Sequence, residues 1–207
     1  MRRLILSSLA LILLISCNQD RNSDFKIPSE KNVQAIVLAV IKQDSLPVIS
    51  GKSPHYPVSS ETQSYRLSFL ESNMPPTMPG LGIRLRDLLS VKTDSTGDEL
   101  LFSKTDTAYF RFLDTKWSSR PYVIQRLRSQ GIFFKAKQTL FDELWKTRQA
   151  EKSFYVFSNP IVSEDQSRAY IEVAFACDRL CGYGHAYSLL KKKGKWRVTN
   201  EVITYFE

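Results

Sequence analysis

The spacing of apolar residues changes near Ser153. Before this point the apolar residues recur at intervals of three and four, which indicates amphipathic helices. After it they alternate with other residues, which indicates strands with one apolar face. A chain that carries helices first and consecutive strands afterwards is typical of the α+β class, in which helices cover one face of an antiparallel sheet.

Three segments of the first part carry helix signals. A helix is predicted over 29–43, where Ser29 can act as the N-cap. A second helix is predicted to begin at Ser103, because Asp106 follows three residues later in an arrangement close to a capping box. A third helix is predicted over about 139–149 from its apolar stripe.

The second part predicts four strands joined by short connections. They cover Phe154–Phe157, Ala169–Phe175, Tyr183–Leu190 and Trp196–Phe206. Lys193-Gly194 forms the turn before the last strand. Because short connections join antiparallel neighbours, we predict an α+β fold with N-terminal helices packed on a C-terminal antiparallel four-stranded meander. Residues 29–207 are expected to form this single domain.

The N-terminus has the organisation of an export signal. Met1–Arg3 is a short basic start, and Leu4–Ile15 is an apolar run that only two serines interrupt. The run is shorter than the roughly 20 residues that a membrane span needs. A small residue, Ser16, precedes Cys17. The pattern predicts a signal peptide over residues 1–16.

The end of this signal, Leu14–Cys17, resembles the lipobox of bacterial lipoproteins. The resemblance implies that Cys17 is acylated and that the chain is cut before it. Residues 17–28 would then be the lipidated cysteine and a flexible tether, since 18–24 contains no apolar side chain. Asn18, rather than aspartate, favours the outer membrane. The alternative is an ordinary secreted protein whose cysteine happens to lie near the cleavage site.

The chain is basic, with a formal net charge of +8. Part of this charge is concentrated in Lys191–Arg197, around the predicted turn. A protein of the cell envelope meets no chromosomal DNA, so we expect no nucleic-acid partner. This basic segment is either a solvated turn or a surface for anionic headgroups or polysaccharide.

Two neighbouring stretches carry a second resemblance. Ala176–Gly184, which contains a cysteine pair and a Gly-x-Gly, and Leu189–Trp196, which contains Lys-Gly-Lys-Trp, are similar to the C-terminal signature of a group of uncharacterised Bacteroidetes-type lipoproteins. The group implies no activity that can be transferred to this chain. Its sheet resembles cystatin-like or nuclear-transport-factor-2-like folds, which host both enzymes and binding modules.

Cys177 and Cys181 flank a three-residue segment between two predicted strands. A hairpin loop of this length would place the two cysteines opposite each other, near the Cα separation that a disulfide accepts. An exported compartment is oxidising enough for the bond to persist. We therefore predict a disulfide. Two free thiols or a redox pair are the alternatives, although the redox C-x-x-C motif precedes a helix.

Three side chains of the third predicted strand share one face and are candidates for contact with a ligand: Tyr183, His185 and Tyr187. A structural zinc site needs four ligands at characteristic spacings, and His55 is the only other histidine. We therefore predict neither a metal site nor a cofactor. No complete set of catalytic residues is found, so none is assigned.

These patterns predict a lipid-anchored envelope protein that acts as a non-catalytic binding module. It would contact the membrane through its anchor, and its partner would be an envelope protein or a glycan. The alternative is a small-ligand-binding protein or a hydrolase that uses the concave face of the C-terminal sheet. In that case Tyr183, His185 and Tyr187 would lie near the mouth of the site.

Overall fold

A computed structural model of the chain describes residues 25–49, 56–68, 82–94, 96–97, 99–117, 120–147, 153–177 and 182–206. The predicted signal peptide, Cys17 and most of the predicted tether lie outside the described residues. The same is true of His55 and Cys181.

The described helices are α1 (Glu30–Gln43), α2 (Leu85–Leu88), α3 (Asp106–Trp117), a 3₁₀ helix (Gln125–Gln130) and α4 (Lys137–Thr147). The three predicted helices are confirmed as α1, α3 and α4. The Ser29 hydroxyl caps α1 by accepting the Asn32 backbone N–H at 3.2 Å. At the start of α3, the Ser103 backbone N–H donates to the Asp106 carboxylate at 2.9 Å, which is one half of a capping box.

The described strands are β1 (Val58–Ser59), β2 (Arg66–Ser68), β3 (Gly82–Arg84), β4 (Phe134–Lys135), β5 (Phe154–Phe157), β6 (Ile161–Val162), β7 (Arg168–Ala176), β8 (Gly182–Lys192) and β9 (Lys195–Phe206). Seven of them form one sheet in the order β4-β1-β5-β7-β8-β9, with β6 paired to β7. The other two, β2 and β3, form a separate parallel pair.

The described structure is therefore α+β, with helices and a mixed sheet of mostly antiparallel strands. The predicted four-stranded meander is not confirmed, because β1 adds parallel partners on both its sides, β4 and β5. The reason is physical: β1, β4 and β6 have two residues each, too few for a period of two to show in the sequence. The predicted turn at Lys193-Gly194 is confirmed, with φ of 50° and 74°. Positive φ at both positions is the requirement of a type I′ hairpin turn.

Helix α1 contacts β9 and the 3₁₀ helix. Its apolar face is buried, and it consists of Val33, Ile36, Val37, Val40 and Ile41. Burying an aliphatic side chain stabilises a fold by about 1.5–3 kcal/mol, so this face holds the helix in place. Two polar contacts add to it: the Trp196 indole N–H donates to Asn32 at 2.9 Å, and the Tyr187 hydroxyl donates to Asp44 at 2.6 Å.

Strand β7 is buried on both faces through its middle. The sequence predicts one apolar face, with Glu172 on the other. The register pairs Glu172 with Ala186 and Val173 with His185, so these two pairs lie on opposite faces of the sheet. The His185 face continues to Tyr187, which contacts the C-terminal end of α1. On the Glu172 face, the Glu172 carboxylate contacts Tyr65, which precedes β2, and Gly82, which begins β3.

Candidate functional site

A row of five aromatic rings follows the face of the sheet that contains His185. Cross-strand pairing brings Tyr155, Phe175 and Tyr183 side by side on β5, β7 and β8. Ring centroids lie 4.8 Å apart for Tyr155 and Phe175, and 5.0 Å apart for Phe175 and Tyr183. The row then continues along β8. The ring centroids of Tyr183 and His185 lie 5.2 Å apart, and those of His185 and Tyr187 lie 6.1 Å apart. We call these five rings the aromatic row.

The hydroxyl groups of the aromatic row are hydrogen-bonded within the protein. The Tyr155 and Tyr183 oxygens lie 2.9 Å apart, and the Tyr187 hydroxyl donates to Asp44 at 2.6 Å. Burial first, and then the hydrogen bond with Tyr183, raises the pKa of Tyr155 above its ordinary value. Burial and the bond to Asp44 do the same to the pKa of Tyr187. Both phenols therefore remain protonated at neutral pH and act as structural groups.

His185 is held by a carboxylate from the neighbouring strand. Its Nδ1 contacts a carboxylate oxygen of Glu201, on β9. This contact fixes the orientation of the imidazole and leaves Nε2 as the second polar atom of the ring. The side chain of His185 retains 22% of its exposure, and that of Glu201 retains 39%. A ligand can therefore reach this pair.

The three predicted ligand-facing residues do not have the same environment. Tyr183 and His185 are half-buried, as are Phe175 and Tyr56, and the Tyr56 ring lies 5.1 Å from that of Phe175. Tyr187 is only 1% exposed. It differs from the prediction because the end of α1 covers it, which a strand pattern does not indicate. The accessible part of the site is therefore formed by Tyr56, Phe175, Tyr183 and His185.

The accessible rings favour binding over bond cleavage. Aromatic surfaces with a few polar tips are enriched where proteins bind other proteins or small ligands. The described polar and aromatic side chains in contact with His185 are two phenol rings and a carboxylate. A phenol is a weak nucleophile when it is protonated, and the hydroxyl of Tyr183 is already hydrogen-bonded. This arrangement orients an imidazole without presenting an activated nucleophile to it.

A second polar cluster lies on the opposite face of the sheet, around Glu172. This side chain is 5% exposed and accepts three hydrogen bonds. The donors are the Tyr170 hydroxyl at 2.7 Å, the Tyr65 hydroxyl at 3.3 Å and the Gly82 backbone N–H at 3.2 Å. Tyr65 precedes β2, and Gly82 begins β3. The carboxylate therefore fastens the β2–β3 pair to the main sheet.

Burial raises the pKa of the Glu172 carboxyl to about 7, although the three hydrogen bonds act in the opposite direction. Removing a carboxylate from water disfavours its charged form, and donors that point at it restore part of the loss. The pKa values of Tyr65 and Tyr170 are also raised, first by burial and then by the neighbouring Glu172 charge. The sequence pattern missed this cluster, because a glutamate alternating with apolar residues is typical of a strand with one solvated face.

A pocket of about 300 Å³, including its open mouth, lies between α3 and the sheet. Its walls are mostly apolar side chains, with two polar residues, Asp114 and Asn159. Burial raises the pKa of the Asp114 carboxyl above its ordinary value. The aromatic row does not contribute to this pocket, whereas Tyr65 of the Glu172 cluster does.

The cysteine pair is described only in part. Cys177 directly follows β7 and is half-buried. Its chain neighbour Ala176 pairs with Gly182, the last described pair between β7 and β8 at this end of the sheet. Cys181 lies outside the described residues, and the disulfide stays a prediction.

Within the described ranges, no three His, Cys, Asp or Glu side chains come together so that they could hold a metal ion. None of the described helices has both the length and the apolar character that crossing a membrane requires.

The comparisons with known proteins assign no family to the chain, so its class is described from the structure. No protein-family model matches the sequence, and neither the curated proteins nor the solved structures gave a match. The chain is thus an α+β protein with a mixed sheet and a partly accessible aromatic face.

Proposed function

We propose that this protein is a lipid-anchored envelope protein that binds a partner through the accessible middle of the aromatic row and the adjoining Tyr56 ring. The observation that carries the proposal is the set of four half-buried rings on one sheet face: Tyr56, Phe175, Tyr183 and His185. Rings of this kind supply large contact areas at a low entropic cost, and tyrosine also offers a hydroxyl. The partner is an envelope protein or a glycan.

The anchor is the part of the proposal that rests on the sequence. The Leu14–Cys17 motif supports acylation of Cys17, and Asn18 after the cysteine, rather than aspartate, supports a position in the outer membrane. Stable anchoring takes two acyl chains or more, since each buried methylene contributes roughly 0.8 kcal/mol. The predicted tether, 17–28, would shorten to the polar segment before Phe25, because the Phe25 ring packs against Tyr109 and Phe112 of α3.

The finer fold assignment is also part of the proposal. A helix that packs across a curved antiparallel sheet defines the cystatin-like and nuclear-transport-factor-2-like arrangements. The contact of α1 with β9, and the antiparallel order β5-β7-β8-β9, support such an arrangement here.

The anchor is tested by replacing Cys17 with alanine. The variant should leave the membrane fraction after alkaline washing, and labelled palmitate should be incorporated only into the wild type. Retention of the variant in washed membranes would contradict the anchor, whatever the aromatic row binds.

The binding face is tested by His185→Ala and Tyr183→Ala, with Phe112→Ala as a matched control. Phe112 is also half-buried, but it lies on α3, where it packs against Phe25 and Tyr109. Full-length tagged chains are crosslinked in their own envelope, purified and analysed by mass spectrometry. A stoichiometric protein or glycan should be captured by the wild type and the control. It should be reduced about tenfold or more in the two variants, since aromatic hot spots contribute about 2 kcal/mol or more. Equal capture by all four chains would contradict the assignment of this face.

A second candidate function is the binding of a small apolar molecule in the pocket beside α3. Its walls are mostly apolar with a few polar groups, as in ligand pockets. Its enclosed space of about 20 Å³ would have to widen to hold more than a water-sized group. Leu113→Trp would fill this pocket. Loss of binding of a small molecule in this variant, with His185→Ala unaffected, would favour the second candidate.

A further inference from the structure

The last strand of the described sheet, β9, has a free edge within the described structure. It contains twelve residues and pairs with β8 on one side, and the strand order ends with it. The opposite side therefore presents backbone N–H and C=O groups to which another strand can bind.

The two halves of this edge differ in charge. Lys195 and Arg197 are exposed in the first half, directly after the exposed lysines of the turn at 191–193. After Glu201, the last five residues of the strand, Val202–Phe206, carry no charge and consist only of residues that favour strands. We call these five residues the apolar half of the edge. Natural edge strands are normally protected by charged side chains, and only the first half of β9 has this protection.

Two exposed apolar side chains at the start of the apolar half lie on opposite faces of the sheet. Val202 is 54% exposed and Ile203 is 61% exposed, the two highest values among the large apolar side chains that the structure describes. Val202 pairs with Ala186, and Ile203 pairs with His185, so the two side chains point to opposite faces. A strand added at this edge would bury apolar surface above and below the sheet.

We propose that the β9 edge binds an extended, acidic protein segment as an additional antiparallel strand. Strand addition gives affinity through main-chain hydrogen bonds and specificity through alternate side chains. An antiparallel segment would place apolar β-forming residues opposite Val202 and Ile203. Its following residues would lie opposite Arg197 and Lys195, where carboxylates complement the charge.

The edge favours this occupant over two others. A second copy of β9 would have to supply the carboxylates that complement Arg197 and Lys195. The described strand contains one carboxylate, Glu201, and it already contacts His185. Two copies would also bring together chains that each carry a formal charge of +8. A glycan or a lipid headgroup can contact the lysines, but it cannot supply the regular ladder of N–H and C=O groups that a strand edge accepts.

This inference goes beyond the aromatic row and does not depend on the anchor. The two surfaces adjoin at Ile203, which pairs with His185. A partner protein could therefore use both, and variants in each surface separate the two roles.

The probe is a fluorescent synthetic peptide with valine, isoleucine and threonine in its N-terminal half and glutamates in its C-terminal half. A matched peptide has lysines in place of the glutamates. Binding to the full-length chain in detergent is followed by fluorescence anisotropy at low and high salt. The acidic peptide should bind, and salt should weaken its binding because exposed charges are screened.

Three variants locate the site. Ile203→Lys should weaken binding of the acidic peptide about tenfold or more, since the variant charges the apolar half of the edge. Arg197→Glu should weaken it about three- to fivefold, the range of an exposed ion pair, and should reduce the preference over the lysine peptide. Leu100→Lys should leave binding unchanged. Leu100 is 47% exposed but lies outside β9, so it controls for the loss of any exposed apolar residue.

Four results would overturn the inference. The first is that neither peptide binds, and the second is that both peptides bind equally well. The third is binding that Ile203→Lys does not affect. The fourth is a dimer in sedimentation experiments that Ile203→Lys abolishes, because this would assign the edge to a second copy. If His185→Ala loses the envelope partner but still binds the acidic peptide, the result tests the aromatic row and leaves the β9 edge as the peptide site.

Discussion

Replacing Glu172 with glutamine should flatten the pH dependence of the free energy of unfolding between about pH 4.5 and 7. Glu172 is buried, and burial raises the pKa of its carboxyl from 4.5 to about 7. Between these values the folded chain keeps the proton, whereas the unfolded chain releases it. The stabilisation is therefore complete below about pH 4.5 and is lost as the pH rises through 7.

The difference between the two pKa values corresponds to about 3 kcal/mol of unfolding free energy. Asp165 opposes this trend, because hydrogen bonds from Ser163 and Ser167 hold the pKa of its carboxyl below 3.8. Its contribution is lost only as the pH falls below that value, so it lies outside the window. Within the window, the difference between wild type and Glu172→Gln reports on Glu172.

The assay is urea denaturation at a series of pH values and constant ionic strength, with linear extrapolation of the unfolding free energy. A second variant, Tyr170→Phe, provides an independent test in case the Glu172→Gln chain does not fold. It removes a hydrogen bond of 2.7 Å that favours the carboxylate, so the pKa of Glu172 should rise further. The loss of stability should then extend to higher pH. Parallel pH profiles for wild type and Glu172→Gln, or an unchanged window in Tyr170→Phe, would refute the reasoning.

Three further experiments test the fold. Ile36→Ala should lower the unfolding free energy by about 2–5 kcal/mol, because the Ile36 side chain is fully buried and its loss leaves a cavity under α1. The loss is measured by the same urea denaturation. A loss below about 0.5 kcal/mol, the size of a typical surface substitution, would argue against this packing. Tyr187→Phe should lower it by about 1 kcal/mol through loss of the bond to Asp44, and a variant as stable as wild type would show that the bond contributes nothing. Thiol labelling of the unfolded, unreduced chain should find Cys177 and Cys181 blocked, and labelling of both would contradict the predicted disulfide.

The sequence was sufficient where the information is local. The Ser29 cap and the apolar spacing of 29–43 predicted α1, and Lys193-Gly194 predicted the turn between β8 and β9. In both cases the residues that determine the conformation lie within a few positions of one another. The same holds for Tyr183 and His185, whose shared face follows from the alternation of a strand.

The other members of the candidate site could not be found in this way. Tyr155 and Phe175 join the aromatic row only because β5, β7 and β8 pair in one register. Glu201 reaches His185 from the next strand. The sequence placed Tyr187 beside them on the correct face, but the contact with Asp44, which lies 143 residues away, buries it.

The sequence alone thus determined the elements with a strong local period and the α+β class. Tertiary structure decided which of these elements meet. The parallel pairing of β1 with β5 and the burial of Glu172 both depend on distant segments: Tyr65 lies 107 residues from Glu172, and Gly82 lies 90 residues from it. The alternating pattern predicts a solvated carboxylate at Glu172. The pattern depends only on neighbours in the chain, and it contains no information on distant groups that pack against the strand. Only the folded chain supplies the three donors that make the burial of this carboxylate possible.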